Sequence, residues 1–342
     1  MINELYREQV AVEIRLDDED GKDGKDEGGG QEAHGSVPVA PPNVLKFNLC
    51  QAGSGTGAVL WPAAAMLSKV MHRIHTIDLP GRFRHASDGA VECGEEWNGG
   101  WSGRSVLELG CGLGLASLVA AYLGSPLVIA TDGDESLLPV IRRNVDLNRA
   151  YIEDSPWRES TSPPPSDGEG EGNARALEPL EPPRTVAPHE LFLGDPSANL
   201  VSAVQLRWGR KETRAFWASA EGQTMRGGGG TTESPGKRAG GPDCILLADL
   251  VYEQGIEVWK ALVVTMVGLA SEKSVFLLAH TERYGKSTAS FFRLLARHFY
   301  VVSLPVDDHG EGGGEAGSAQ TTATTATTAT RLYALMLRPL DD

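Results

Sequence analysis

Apolar residues alternate with polar or small ones at Val10, Val12, Ile14 and Leu16, and the run from Val44 to Cys50 repeats that period. A period of two marks a half-buried strand, so these runs predict a small hairpin flanking a larger sheet. Pro62 stands at the first turn of a predicted helix through Ala63 to Met71. Ser105 to Leu109 is a short apolar strand that enters a glycine-rich turn, and Leu115, Leu118, Val119, Tyr122 and Leu123 then keep helical spacing until Gly124 stops them. Leu127 to Ala130 reads as a second strand, and Leu137, Leu138, Ile141 and Val145 mark one face of a helix from Glu135 to Asn148.

This βαβα order calls for a parallel sheet with helices on its faces. A third strand, Val201 to Trp208, is followed by the unbroken apolar run Cys244 to Ala248, which suits a central strand buried on both sides. Trp259, Leu262, Val263, Met266 and Val267 predict the next helix, Val275 to Ala279 a fifth strand, and Phe291, Phe292, Leu294 and Leu295 a further helix. Phe299 to Leu304 and Leu332 to Leu337 are strands with no helix between them, so they are expected to be antiparallel. The expected fold is α/β: a Rossmann-like, doubly wound, seven-stranded sheet, mostly parallel, with an antiparallel C-terminal strand pair and a small N-terminal hairpin. His72 to Gly103 carries no strong period and reads as a loop holding Trp97 and Trp101.

The glycines Gly110, Gly112 and Gly114 stand at alternate positions after the first sheet strand, with Glu108 two residues ahead. A dinucleotide fingerprint needs a glycine where this chain has Leu115, so S-adenosylmethionine (SAM) fits better than NAD. Glycine lets the backbone approach a ligand, and the helix beginning near Gly114 aims N–H groups at an anion such as the methionine carboxylate. Glu108 can then answer the ligand's ammonium group. In a doubly wound sheet the ligand lies outside the carboxyl ends of the strands. Asp132 ends the second strand and suits two ribose hydroxyls; Asp134 is an alternative whose competing role is to cap the following helix. Trp208 reads either as an adenine-stacking ring or as core filler.

Four stretches are too biased in composition to join a core: residues 17–42, 154–190, 221–242 and 307–330, rich in acid, proline, glycine or a Thr-Thr-Ala repeat. They are expected to be disordered insertions in a single domain. Of 342 residues about 230 remain, the size of one α/β domain. The net charge of −15 argues against wide contact with a phosphate backbone and favours a lysine-bearing protein partner. Cys50, Cys93, Cys111 and Cys244 form no C-x-x-C pair, and neither an organelle leader nor a run of membrane-spanning length is visible. The expectation is a monomer with free thiols in the cytoplasm or nucleus, with no membrane partner and no metal. His280-Thr281-Glu282-Arg283 falls short of a metal ligand set, and His72 and His75 read as a surface pair.

Four motifs carry a family resemblance: Val59-Leu60-Trp61-Pro62-Ala63-Ala64, the glycine turn from Val106 to Gly114, Leu206-Arg207-Trp208-Gly209, and Ala248-Asp249-Leu250-Val251-Tyr252. In this order the chain resembles the class I, seven-β-strand SAM-dependent methyltransferases, and within them the methyltransferase-like protein-lysine methyltransferases that modify chaperones and elongation factors. The resemblance implies that Trp61, Gly110, Cys111, Gly112, Asp132, Trp208 and Ala248 contact SAM, and that Asp249 and Tyr252 lie at the methyl-acceptor end. Asp249 is expected to position the acceptor and Tyr252 to offer it a ring face and a hydroxyl. Nucleic-acid amino-methyltransferases resemble this chain but place prolines where it has Leu250-Val251. Histidine, arginine or small-molecule acceptors stay open, as does a catalytically silent SAM-binding module.

Overall fold

The computed structural model describes residues 6–15, 44–52, 56–74, 77, 79–86, 100–158, 200–226, 240–252, 254–283, 285–305 and 329–339. Its strands are β1 (Tyr6–Arg15), β2 (Val44–Ala52), β3 (Ser105–Leu109), β4 (Leu127–Asp132), β5 (Ser202–Gln205), β6 (Cys244–Ala248), β7 (Val275–Thr281), β8 (Phe299–Leu304) and β9 (Thr330–Leu337). The helices are α1 (Pro62–Arg73), α2 (Leu79–Ala86), α3 (Leu115–Tyr122), α4 (Leu138–Glu153), α5 (Arg210–Ala218), α6 (Ala220–Met225), α7 (Ile256–Leu269) and α8 (Gly285–Leu295).

Seven strands form one sheet in the order β5-β4-β3-β6-β7-β9-β8, and β1 pairs with β2 in a separate antiparallel hairpin. The pairs from β5 to β7 are parallel, and β9 is antiparallel to both β7 and β8. The expected architecture is therefore present, with the last strand inserted between β7 and β8. Strand order reverses direction between β3 and β6, which opens a crevice at their carboxyl ends.

The period of two along each strand divides the interior into two cores. Val106, Val128, Leu246, Leu277 and Ala279 pack with α1, α3, α4 and the hairpin on one face. Leu107, Leu109, Ile129, Leu247, Phe276 and Leu278 pack with α5, α7 and α8 on the other. Both faces are covered, so β6 and β7 have no need of polar residues in mid-strand, and none stands before His280.

The hairpin is held by α4 through side-chain amides. Asn148 Oδ1 accepts from Asn48 N at 2.8 Å while its Nδ2 donates to Asn48 O at 2.7 Å. Asn144 Oδ1 accepts from Cys50 N at 2.6 Å, and its Nδ2 is shared between Cys50 O and Leu113 O. Four residues of helix rise about 6 Å and two residues of strand about 6.6 Å, so an i, i+4 pair of asparagines meets alternate residues of β2 as a neighbouring strand would.

Three helices depart from the expectations. α2 lies in the stretch read as a loop, where Trp101 is buried and donates its indole N–H to Met71 O at 2.7 Å; Trp97 is outside the described residues. α5 was hidden by its polar composition, since of its nine residues only Thr213, Phe216 and Trp217 are buried. α6 occupies residues assigned to an insertion from 221, and Ser219 caps it by accepting from Gly222 N. Two other insertion edges shift as well. Residues 154–158 follow α4 as turns and tie back to α3 through Ser155 Oγ on Tyr122 O and Arg158 on Ala121 O, and Thr330 opens β9. The strand expected to reach Trp208 ends at Gln205. Residues 17–42, 159–190, 227–239 and 307–328 of the expected insertions lie outside the described residues.

Asn144 is fully buried, so Asn144→Ala strands the polar backbone of Cys50 and Leu113 O together. We expect a loss of about 2–4 kcal/mol in denaturant-induced unfolding, with faster amide exchange at Cys50 than at strands β6 and β7. Uniform exchange across the two would show that the hairpin is held by other means.

Candidate functional site

The crevice at the β3/β6 switch holds a cavity of about 660 Å³ lined by the turn before α1, the glycine turn, and the ends of β4 and β6, a volume in the range of small-molecule sites. Of the residues singled out from the sequence for SAM contact, Trp61, Glu108, Gly110, Cys111, Gly112, Asp132, Trp208 and Ala248 line it, together with Asp249 and Tyr252. Gly114 does not: it stands between the lining residues Leu113 and Leu115, in left-handed geometry at the N-cap of α3.

The glycine turn is tight because two backbone segments meet there. At φ 53°, a Cβ on Gly112 would lie 3.0 Å from Gly57 O, a backbone atom that cannot move aside as a side chain would. Cys111 N donates to Thr131 O at 2.9 Å and Gly112 N to Asp132 Oδ2 at 3.0 Å, so the turn is pinned to the end of β4. Asp132 Oδ1 accepts from Asp134 N at 3.0 Å. Each carboxylate oxygen keeps lone-pair capacity for a ligand hydroxyl. Burial raises the Asp132 pKa above the usual carboxylate value, against the pull of its backbone donors. Asp134 takes the capping role: its Oδ1 accepts from Ser136 N at 2.9 Å and Ser136 Oγ at 2.7 Å at the entry to α4.

Glu108 shares strand parity with Val106 and so faces α3. Its Oε2 accepts both Ser117 N at 2.9 Å and Ser117 Oγ at 2.5 Å. One of the first-turn N–H donors of α3, expected to serve an anionic ligand, is therefore held by the protein's own carboxylate. Those two bonds do not offset burial, and the Glu108 pKa is pushed up to about 7. Cys111 is buried and its pKa is raised well above the ordinary thiol value, first by burial and then by Glu108 and Asp132. It stays a thiol and is no nucleophile.

Asp249 follows β6 at φ 53°, the one non-glycine with positive φ among the described residues. Its carboxylate does not face open cavity. Oδ1 accepts from Thr281 N at 2.8 Å, while Oδ2 accepts from Thr281 Oγ1 at 3.0 Å and from Arg283 Nη2 at 2.8 Å. The Asp249 side chain is 1% exposed and that of Arg283 26% exposed, and the guanidinium carbon sits 4.9 Å from the centroid of the Trp61 ring. Asp249 thus connects β6 to the end of β7 and aims Arg283 across the cavity wall at Trp61. Tyr252, by contrast, is 39% exposed at the mouth.

Arg283, set aside by sequence reasoning with the His280-Thr281-Glu282-Arg283 cluster, is a site residue, as are Gln254 and Val258, which sequence reasoning did not single out. Arg283 lines the cavity through an ion pair spanning 34 residues, and no local spacing announces that pairing. Its neighbour His280 is buried, with Nε2 3.1 Å from Thr288 Oγ1, and burial lowers its pKa. His72 packs edge-on against Trp157, with ring centroids 5.6 Å apart, and His75 lies outside the described residues.

A family model described as lysine methyltransferase matches residues 42–160, which include the Trp61-Pro62 turn, the glycine turn, Asp132 and Asp134. The resemblance carried by the motifs is thus found again over that part of the chain, while Trp208, Asp249 and Tyr252 lie beyond the match. A protein N-terminal and lysine N-methyltransferase, EFM7, of Cryptococcus neoformans is 44% identical over 68 residues, which are 18% of this chain and 23% of that protein. The ribosomal protein L11 methyltransferase of Ruminiclostridium cellulolyticum is 48% identical over 44 residues, 13% of this chain and 14% of that protein. The chain therefore spans less than a quarter of the length of these relatives. Among solved structures, the 16S rRNA N2 G1207 methyltransferase of T. thermophilus, in complex with AdoMet and guanosine, aligns with 86% of this chain and 48% of its own at 13% identity and a TM-score of 0.38.

Glu108 supplies a direct test of the site's electrostatics. Its folded pKa of about 7 stands above its unfolded value near 4.5, so its contribution is fully present below pH 4.5 and is lost as pH rises through 7. Glu108→Gln removes this dependence. The stability of the variant relative to the wild type is expected to rise by about 3 kcal/mol between pH 4 and pH 8, measured by denaturant titration. A difference that stays constant with pH would mean that Glu108 is solvated in solution.

Proposed function

We propose that this protein is a SAM-dependent methyltransferase whose acceptor is an amino group on a protein, a lysine side chain in the first instance. The observation that carries the reading is the undercompensated buried carboxylate of Glu108 beside a backbone turn too tight for any side chain but hydrogen. A ligand that brings a cation to Glu108, a diol to Asp132 and a flat ring to Trp208 matches this set, and SAM has all three. The family-model match over residues 42–160 supports the same cofactor-side assignment.

Bound SAM supplies a methyl group on a sulfonium, open to in-line attack by a lone pair. What the protein must do is hold geometry and deliver a neutral amine. A free lysine has a pKa near 10.4, so removing its proton at pH 7.4 costs about 4 kcal/mol. A lone carboxylate at the acceptor end would add to that cost by favouring the ammonium form. Asp249 avoids the conflict because Arg283 and Thr281 already occupy it. Paired in this way, Asp249 and Arg283 are neutral overall, so the acid does not hold an incoming amine in its ammonium form. Tyr252 at the mouth offers a ring face and a hydroxyl oxygen to the incoming amine. On this reading Asp249 is a positioning residue for Arg283 and Trp61 rather than a general base.

Two measurements test the reading. SAM affinity by calorimetry should strengthen roughly eight-fold from pH 6 to pH 7.5 as Glu108 ionises, remain flat over that range in Glu108→Gln, and be abolished in Asp132→Ala. Incubation with radiolabelled SAM and a cell lysate should label a discrete protein band at lysine, absent with Asp132→Ala. Label confined to nucleic acid or small molecules would overturn the protein acceptor, and SAM binding with no label would favour a silent binding module.

A further inference from the structure

Among the described residues four large apolar side chains are exposed, Val59 (42%), Tyr252 (39%), Ile256 (51%) and Val258 (38%). Single exposed apolar residues scattered over a surface mean little, but a concentration at one place marks an interaction site. Val59, Tyr252 and Val258 all line the mouth of the candidate site, and Ile256 stands two residues from Val258 at the start of α7. They arrive from separate parts of the chain: the turn before α1, the connection after β6 and the first turn of α7. Their meeting at one rim is a product of the fold.

A second observation lies between them. Gln254 lines the same cavity, and its side-chain Oε1 is shielded from solvent with no hydrogen-bond partner among the described residues. An unpaired buried acceptor is costly to keep, and a side-chain rotation that turns it into the cavity, where an N–H can meet it, removes that cost. A neutral carbonyl has a further advantage at this position over a carboxylate. It can accept from an amine without the negative charge that would hold the amine protonated.

We propose that the rim of Val59, Tyr252 and Val258 docks an acceptor segment through an apolar side chain next to its methyl-accepting amine, and that the Gln254 carbonyl orients this amine by accepting an N–H. The inference rests on the methyltransferase reading and adds to it the chemistry of the substrate: a lysine flanked by apolar residues rather than by acids.

The test uses the full chain and fluorescein-labelled acetylated peptides with one central lysine flanked by leucine, by glycine or by aspartate, followed by fluorescence anisotropy with and without S-adenosylhomocysteine. The leucine-flanked peptide is expected to bind about ten-fold more tightly than the glycine-flanked one, and Val258→Asp or Val59→Ser to remove most of that advantage with an unchanged melting temperature. Gln254→Ala should weaken the lysine peptide but leave a norleucine analogue unaffected, a difference that mere disturbance of the loop would not produce. Equal affinity for the three peptides, or an advantage that survives both rim variants, overturns the docking surface. Calorimetry with SAM alone separates the two claims. Absence of SAM binding overturns the methyltransferase reading together with this assignment, while SAM binding with no apolar preference overturns the rim alone.

Discussion

Three carboxylates stand at the carboxyl ends of three adjacent strands, and the fold satisfies each to a different degree. Asp249, after β6, is fully engaged by Thr281 and Arg283. Asp132, ending β4, has one backbone donor on each oxygen and spare lone pairs. Glu108, within β3, is buried with a single serine answering one oxygen, and its pKa rises to about 7. Charge in a protein interior must be paired or it is costly. The gradient from Asp249 to Glu108 therefore separates the part of the site whose charge is balanced within the protein from the part where burial is not offset.

The rest of the architecture keeps this arrangement in place. Strand parity sends Glu108 toward α3 and its neighbours Leu107 and Leu109 toward α7, so the carboxylate meets Ser117 with no distortion of the sheet. The turn after β3 is fixed from two sides, by Asp132 on Gly112 N and by Asn144 on Leu113 O. Because the same asparagine grips β2, the N-terminal hairpin and the ligand turn share one anchor. The hairpin is thereby more than an appendage to the sheet.

The rim of the cavity is built differently. It carries exposed Val59, Tyr252 and Val258 and the Gln254 amide, while the Asp249 carboxylate is sealed by Thr281 and Arg283. On the proposed reading such a surface suits a neutral amine. The match of the family model includes Val59 and Trp61 but ends before Asp249, Tyr252, Gln254, Val258 and Arg283.

Local pattern was enough to determine much of the protein. The strands of the sheet, the helix starts at Pro62 and Leu115, the turn Gly110 to Gly114 and the placing of Glu108, Asp132 and Trp208 at or after strand ends follow from periodicity and turn chemistry, because those depend on neighbours a few residues away, whereas Trp61 was named only through the family resemblance. Short polar helices such as α2 and α5 were not legible, since a face of three buried residues leaves too weak a period. Only the tertiary structure decided that β9 enters between β7 and β8, that Asn144 and Asn148 act as a strand for β2, and that Asp249 belongs to Arg283. It also brought Val59 to the same rim as Val258. These are pairings across tens or hundreds of residues. They depend on how the two cores close around the sheet, which no window of the sequence contains.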